Sequence, residues 1–450
     1  MMKLLNKMGV DIDIGVTLLY RVWTILAGAI LLFIIPTYLS PDEQGYYFTI
    51  SSLIALQVFF ELGFNFVITQ TISHEMAGLK VCNNLTLDGN FKSLYKVSSL
   101  IEAIPKWYIN ISSIFFIVVF SLGLIFFWDG ALDIYKWLPV WGLVTFFTAV
   151  CLFLSPYLSV MEGFGYVARV AKIRLIQSIV GYTLFIFALF FNSGLYALPL
   201  VSGIAALIST FWVIRTFSSL SYPEAFYTYR CDHKFISDKV SWWRDIRPLQ
   251  SKLAISWFSG YLIFQLFNPF LFKNQGADVA GKVGLALTIY STMLSISMSW
   301  VNAKIPTMSR LIAQKDFPTV NKIFRALVFR SSLVNLIVVM LFDFCVILLG
   351  VHEIPLVQRL PSLDIIAMLS FVTIINHLIF CMALYMRAFK EEPLVNCSLI
   401  SGIITSSLVF IGSLHSDSMT ILYYCIVTTF ISFPWVLFTF IRYRQGVALK

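Results

Sequence analysis

Residues 20–75 read YRVWTILAGAILLFIIPTYLSPDEQGYYFTISSLIALQVFFELGFNFVITQTISHE, two long apolar runs joined by the short acidic turn SPDE. A helix needs about 20 apolar residues to cross a hydrocarbon core of roughly 30 Å, and each run meets that length. Each run also carries one full charge where a span ordinarily has none, Arg21 in the first and Glu61 in the second. Reading this hairpin as two membrane helices decides the fold class, because similar runs recur to the end of the chain. Spans are expected at about 15–39, 45–72, 105–127, 138–160, 173–192, 195–217, 249–272, 280–302, 327–350, 363–386, 394–414 and 419–441. The expectation is an all-α polytopic membrane protein of twelve transmembrane helices. Ten-residue segments of alternating polarity, the mark of a membrane barrel, are absent.

Composition agrees with lipid as the solvent. The chain has 450 residues, 59% of them hydrophobic and 12% charged, against about 25% charged in a soluble domain. The first run reads as a retained span rather than a cleavable signal peptide, since it is long and no small-residue cleavage site precedes the turn. Seven cysteines occur without any CxxC pair, so neither disulfides nor a zinc site is expected. No P-loop, HExxH or GxSxG motif occurs, which leaves no signature for ATP use or hydrolysis. The chain therefore does not read as an enzyme, and no cofactor is expected beyond H⁺ or Na⁺ as a coupling ion. The net charge of +9 is explained by its sidedness and calls for no nucleic acid.

That sidedness tests the span count. With the N-terminus in the cytoplasm, 27 of the 32 Lys and Arg fall in segments on that side. Lys136, Lys273, Lys282 and Arg359 fall outside, and Arg21 lies within a span. One miscounted span would invert every later loop, so the asymmetry supports twelve spans with both termini inside. The long loops 73–104, 218–248 and 303–326 are all on the inner side. Within them 91–104 and 235–247 read as amphipathic helices on the inner face, the latter with Trp242 and Trp243 at headgroup level. The basic loop 219–248 divides an N-terminal lobe, 1–218, from a C-terminal lobe, 249–450, each with six spans. A faint parallel repeat relates the two. Pro36 and Gly45 flank the first turn, and Pro269 and Gly281 stand at the matching places in the second lobe.

Polar residues at helical spacing mark faces that do not meet lipid. The first span carries Thr17, Arg21, Thr24 and Gly28, and the second Gln57, Glu61 and Asn65. The seventh carries Gln250, Ala254, Trp257, Tyr261, Gln265 and Asn268, and the eighth Thr288, Thr292, Ser295, Ser299 and Asn302. These four spans are expected to surround a central space. Ser and Thr of the eighth also suit close helix packing. Aromatic faces flanked by amides suit sugars, whose C–H edges stack while their hydroxyls bond. Arg21 lies about 9 Å from the inner end of its span and either faces the space or snorkels to the interface. Glu61 lies about 17 Å deep, so its carboxylate is paired, protonated or wet. A pairing with Arg21 is one reading. Candidates for ion coupling are Glu61, Asp343 and His377. Asp343 otherwise reads as interfacial and His377 as a packing residue.

Residues 21–64 with ISHE at 72–75, LFLSPYLSVMEGFG at 152–165, WWRDIRPLQSKLAISWFSGYLIFQLFNPFLF at 242–272 and AGKVGLALTIYSTMLSISMSWVNAKIPTMSRLIA at 280–313 resemble one family. It is the Wzx-type O-antigen flippases of the multidrug/oligosaccharidyl-lipid/polysaccharide (MOP) superfamily. The resemblance implies a MATE-like V of two six-helix lobes around a central cavity lined by the first, second, seventh and eighth spans. It implies that a lipid-linked oligosaccharide on a polyprenyl pyrophosphate moves between leaflets of the bacterial inner membrane. A polysaccharide polymerase and a chain-length regulator would act in the same pathway. Arg21 inherits contact with the pyrophosphate, Glu61 balances or couples that charge, and the sugar falls to Trp257, Tyr261, Gln265 and Asn268. Two alternatives stay open. One is an ion-coupled multidrug antiporter of the same superfamily. The other is a glycan polymerase or transferase, which the short outer loops argue against.

Overall fold

The computed structural model describes residues 12–448 except 62, 83–84, 225, 228–246 and 390–391. The expected surface helix at 235–247 thus falls, but for its last residue, outside the described residues, as does most of the inter-lobe linker. The described elements are α1 (Ile12–Tyr38), α2 (Pro41–Ile54), α3 (Gln57–Glu61), α4 (Phe64–Glu75), β1 (Leu79–Val81), β2 (Leu87–Gly89), α5 (Phe91–Phe127), α6 (Ile134–Gly163), α7 (Val167–Phe190) and α8 (Pro199–Phe217). They continue with α9 (Arg247–Phe264), α10 (Phe267–Gln275), α11 (Ala277–Ala313), α12 (Phe317–Val351), α13 (Leu363–Ala388), α14 (Val395–Ser413), α15 (Asp417–Val427) and α16 (Phe433–Ala448).

The chain is an all-α polytopic membrane protein. Among the described residues, ten helices are long and apolar enough to cross a membrane. The second expected span is a pair, Pro41–Glu61 and Phe64–Gly78, bent by 41°. Gly63 takes the left-handed conformation there, with φ 72°, which glycine adopts without steric cost. The seventh expected span is α9 followed by α10, interrupted at Gln265 and Leu266. Every expected span thus finds helix at its place.

Three expectations are corrected. Residues 91–104 are not a separate surface helix, because α5 runs unbroken from Phe91 to Phe127 through Pro105. The loop 303–326 is largely helix, since α11 and α12 extend to within a three-residue turn of each other. The loop 73–104 holds a small antiparallel hairpin, with Leu79 opposite Gly89 and Val81 opposite Leu87.

Capping residues fix the helix starts. Ser40 and Glu43 form a reciprocal box, the Ser40 N–H donating to Glu43 Oε2 at 2.9 Å and the Glu43 N–H to Ser40 Oγ at 3.2 Å. Pro41 then fills the first helical position, where its missing N–H costs nothing. The side chains of Asn90, Asp133 and Asp316 accept from the first turns of α5, α6 and α12.

Packing groups the chain into two units. The first comprises 1–27, 54–128 and 133–257. In it α6 is central, packed on α4, α5 and α8. The Trp141 indole donates to the Phe120 carbonyl at 3.0 Å and covers Gly123, where a Cβ would overlap its ring. The Thr86 and Ser221 hydroxyls meet at 2.9 Å, tying the small hairpin to the chain after α8. The second unit comprises 28–53, 129–132 and 258–450. Its α11 packs on α10, α12 and α13, and α15 packs on α13 and α14. Residues 28–53, from the expected N-terminal lobe, are grouped here. Gly45 lies against the backbone of Ala277 and Gly281. The buried Gln44 amide donates to the Gly281 carbonyl at 2.9 Å, and Arg359 donates to the Leu39 carbonyl at 2.9 Å.

Candidate functional site

The bend at Gly63 brings the second-span stripe onto its neighbours in the first unit. Gln57 Nε2 donates to Glu61 Oε1, one helical turn away. The next turn carries Asn65, whose amide donates to Ser155 Oγ on α6 at 3.0 Å. The Tyr108 hydroxyl on α5 reaches Asn65 Oδ1 at 3.4 Å. The stripe read from the sequence is therefore a polar seam inside the first unit.

Glu61 does not pair with Arg21. The cation within its electrostatic reach is Arg174, seven residues into α7, which also pairs with Glu162 at 3.1 Å. Arg21 is exposed on α1, and no carboxylate pairs with it among the described residues. Two residues further on, the Trp23 indole donates to Ser178 Oγ on α7 at 2.9 Å, so α1 presents Trp23 to α7 and Arg21 to another side.

Two carboxylates share one guanidinium here, Glu162 directly and Glu61 through its field. Replacing Arg174 by Ala is expected to destabilise the protein by about 1–2 kcal/mol, since two half-buried carboxylates lose their counter-charge. Thermal unfolding of the purified protein measures this. Adding Glu162→Gln in the same chain should cost less than the two single losses summed, because the pair acts as one unit.

The seventh-span stripe has divided roles. Trp257 is exposed, and Gln265 is half-buried at the break between α9 and α10. Tyr261 and Asn268 are buried in the second unit and engaged with α2. The Tyr261 hydroxyl donates to the Ser52 carbonyl at 3.2 Å, and the Asn268 amide donates to Ser52 Oγ at 3.1 Å.

Asp343 and His377 both lie within helices of the second unit. Asp343, on α12, accepts from Tyr290 at 2.9 Å and from Ser370 at 2.8 Å. His377, on α13, is buried with Nδ1 3.3 Å from Ser332 Oγ.

No protein-family model matches the chain, and no curated protein does. Solved structures do match, along almost the full length. One is an inward-facing multidrug resistance MATE family transporter of the MOP superfamily, with TM-score 0.65 and 11% identity over 96% of this chain and 95% of that one. Another is the lipid II flippase MurJ in an inward closed conformation, with TM-score 0.61 and 11% identity over 96% and 91%. A third is the MATE multidrug transporter DinF-BH, with TM-score 0.57 and 14% identity over 97% and 95%. The chain shares the fold of these structures. These matches are transporters and a flippase rather than enzymes.

Among the residues that engage the stripes, sequence reasoning misses Arg174, Glu162, Tyr108 and Ser52. It counts Arg174 with the inner-side cations of VARVAKIR, at the margin of the expected span 173–192, whereas α7 already starts at Val167. A usable signal is present. A carboxylate and a guanidinium twelve positions apart, across a turn with Gly163 and Gly165, can meet when both helices start or end at that turn.

Proposed function

We propose that the chain is a flippase carrying a polyprenyl-pyrophosphate-linked oligosaccharide from the inner to the outer leaflet of the bacterial cytoplasmic membrane by alternating access. Both termini lie in the cytoplasm on this reading, in keeping with the distribution of Lys and Arg. The observation that carries it is Arg21, an exposed guanidinium on a spanning helix with no carboxylate paired to it among the described residues. A guanidinium offers a phosphate two parallel donors and repels a cationic cargo. Gln57 and Trp257, stripe residues of the first unit that are at least partly exposed, are assigned to sugar contact on this reading. Fold likeness to a lipid II flippase is consistent with such a cargo.

Likeness to multidrug transporters favours a second reading, small-molecule export. Headgroup exposure across the bilayer, measured in cells with and without the protein, separates the two. Loss of outward delivery of the glycolipid is the expected result. Unchanged delivery rejects the flippase reading, and altered drug resistance with the glycan intact supports the second.

A further inference from the structure

A groove opens on the first unit between α5 and α6, two helices long and apolar enough to cross a membrane. Its volume is about 470 Å³, within the range of about 300–1,000 Å³ that holds small molecules. The walls are Ile109, Phe116 and Ile117 of α5 and Phe146, Val150 and Phe153 of α6. Small residues make the gap, Ser112 and Ser113 from one helix and Ala149 from the other. Ser112 is buried, and its hydroxyl donates to the Tyr108 carbonyl one turn back at 2.6 Å, so the floor offers a guest little polarity. Because both helices are long enough to span, hydrocarbon rather than water lies over the groove.

Length and charge select the occupant. Ile109 and Ile117 stand eight residues apart, about 12 Å along α5. That is just under the depth of one leaflet, roughly 15 Å. One acyl chain of a phospholipid fits this length, whereas a polyprenyl chain is far longer and would lie mostly outside it. At the end away from the α5 N-terminus, Phe116 and Phe146 cross the groove, their rings meeting edge to face with centroids 6.3 Å apart. At the other end stands Lys106, three residues before Ile109 and seven before Ser113, on the same face of the helix. It is exposed, and helical side chains lean toward the N-terminus. Its ammonium therefore reaches past the mouth, to headgroup rather than tail depth. Asn110 beside it is exposed as well, its amide donating to the Lys106 carbonyl at 3.1 Å. Glu102 lies one turn further from the groove.

We propose that this groove binds one acyl chain of an anionic glycerophospholipid, with Lys106 holding its phosphate at the mouth. The chain fills space that α5 and α6 leave open between them, and gains the close contacts that an empty groove lacks. The ammonium meets an anion at the depth where lipid phosphates lie. The site belongs to the leaflet at the N-terminal end of α5 and needs no assumption about cargo.

Photocrosslinking of the full chain in phosphatidylcholine nanodiscs tests this. The probes are a phosphatidylglycerol and a phosphatidylcholine with the same diazirine-bearing acyl chain, and mass spectrometry of peptides reads the labelled positions. The phosphatidylglycerol probe should label 109–117 and 146–153 about fivefold more than the phosphatidylcholine probe, the effect of one lysine on one anionic headgroup. In Lys106→Gln that excess should disappear while the labelled positions stay. Ser113→Phe places a ring in the groove from an exposed position. It should cut labelling of the two segments by both probes and leave labelling elsewhere intact. Equal labelling by the two probes in the wild type overturns the proposal, as does an excess that survives Lys106→Gln. Labelling unchanged by Ser113→Phe overturns it by assigning the lipid to the general annulus. Displacement by polyprenyl phosphate but not by phosphatidylglycerol overturns it in favour of an isoprenoid. No label at either segment, with the chain running as a dimer, overturns it in favour of a second copy.

Discussion

Arg21→Ala is expected to lower outward delivery of the lipid-linked glycan by at least about 100-fold while the protein still accumulates in the membrane. Each charge-assisted hydrogen bond contributes about 1.5–3 kcal/mol, and a guanidinium can offer a phosphate two in parallel. Losing both corresponds to two or more decades in affinity. Accumulation should hold because the Arg21 side chain is exposed and its removal leaves no described carboxylate without a partner. Such positions usually change stability by less than about 0.5 kcal/mol. Arg21→Lys keeps the charge but loses the planar fork, so an intermediate rate is expected. Leaflet-specific labelling of the headgroup, with immunoblotting for protein level, reads both quantities. Full delivery by the Ala variant would mean that Arg21 snorkels to the interface and does not meet the cargo.

The largest effect on stability is expected from one methyl group. In Gly45→Ala the new Cβ falls far inside van der Waals contact distance of the Ala277 carbonyl oxygen. The obstacle is backbone, which cannot turn aside as a flexible side chain can. Helix α2 must lift, and the bonds from Gln44 to Gly281 and from Arg359 to Leu39 lengthen with it. A loss of about 3 kcal/mol or more follows from overpacking plus two strained hydrogen bonds. Gly28→Ala is the control, since nothing lies within 4 Å of its Cβ, and it should be neutral or slightly stabilising. Thermal unfolding of the two variants in detergent gives the comparison. Equal unfolding temperatures for wild type and Gly45→Ala would reject the close approach.

Spans are legible because lipid imposes length and apolarity on each helix separately, so a single run such as 363–386 declares itself without knowing its neighbours. Breaks and extensions are less legible. The bend at Gly63 and the interruption at Gln265 depend on how the backbone packs. The amphipathic look of 91–104 does not distinguish a surface helix from the first turns of a longer one. Within the candidate site, Gln57, Glu61 and Asn65 can be found because helical spacing places them on one face. Their partners cannot, because Ser155, Tyr108 and Arg174 come from other helices and nothing local marks them. Spacing also gives Tyr261 and Asn268 a common stripe, but only packing shows that both engage Ser52. The sequence aligns the polar groups along each helix and leaves open whether they meet cargo or another helix.

The contact between Gln44 and Gly281 joins residues 237 positions apart, and this bears on how the protein is made. Ribosomes add about 5–20 residues per second, so α2 emerges roughly 10–50 s before α11 exists. During that interval Gln44 and Ser52, both buried in the finished protein, lack their partners Gly281 on α11 and Asn268 on α10. Nascent α2 must wait at the insertion machinery, beside a chaperone, or paired provisionally with an early helix. Assembly of the second unit is thus tied to retention of a hairpin synthesised near the start of translation, and the order of synthesis becomes part of the folding problem.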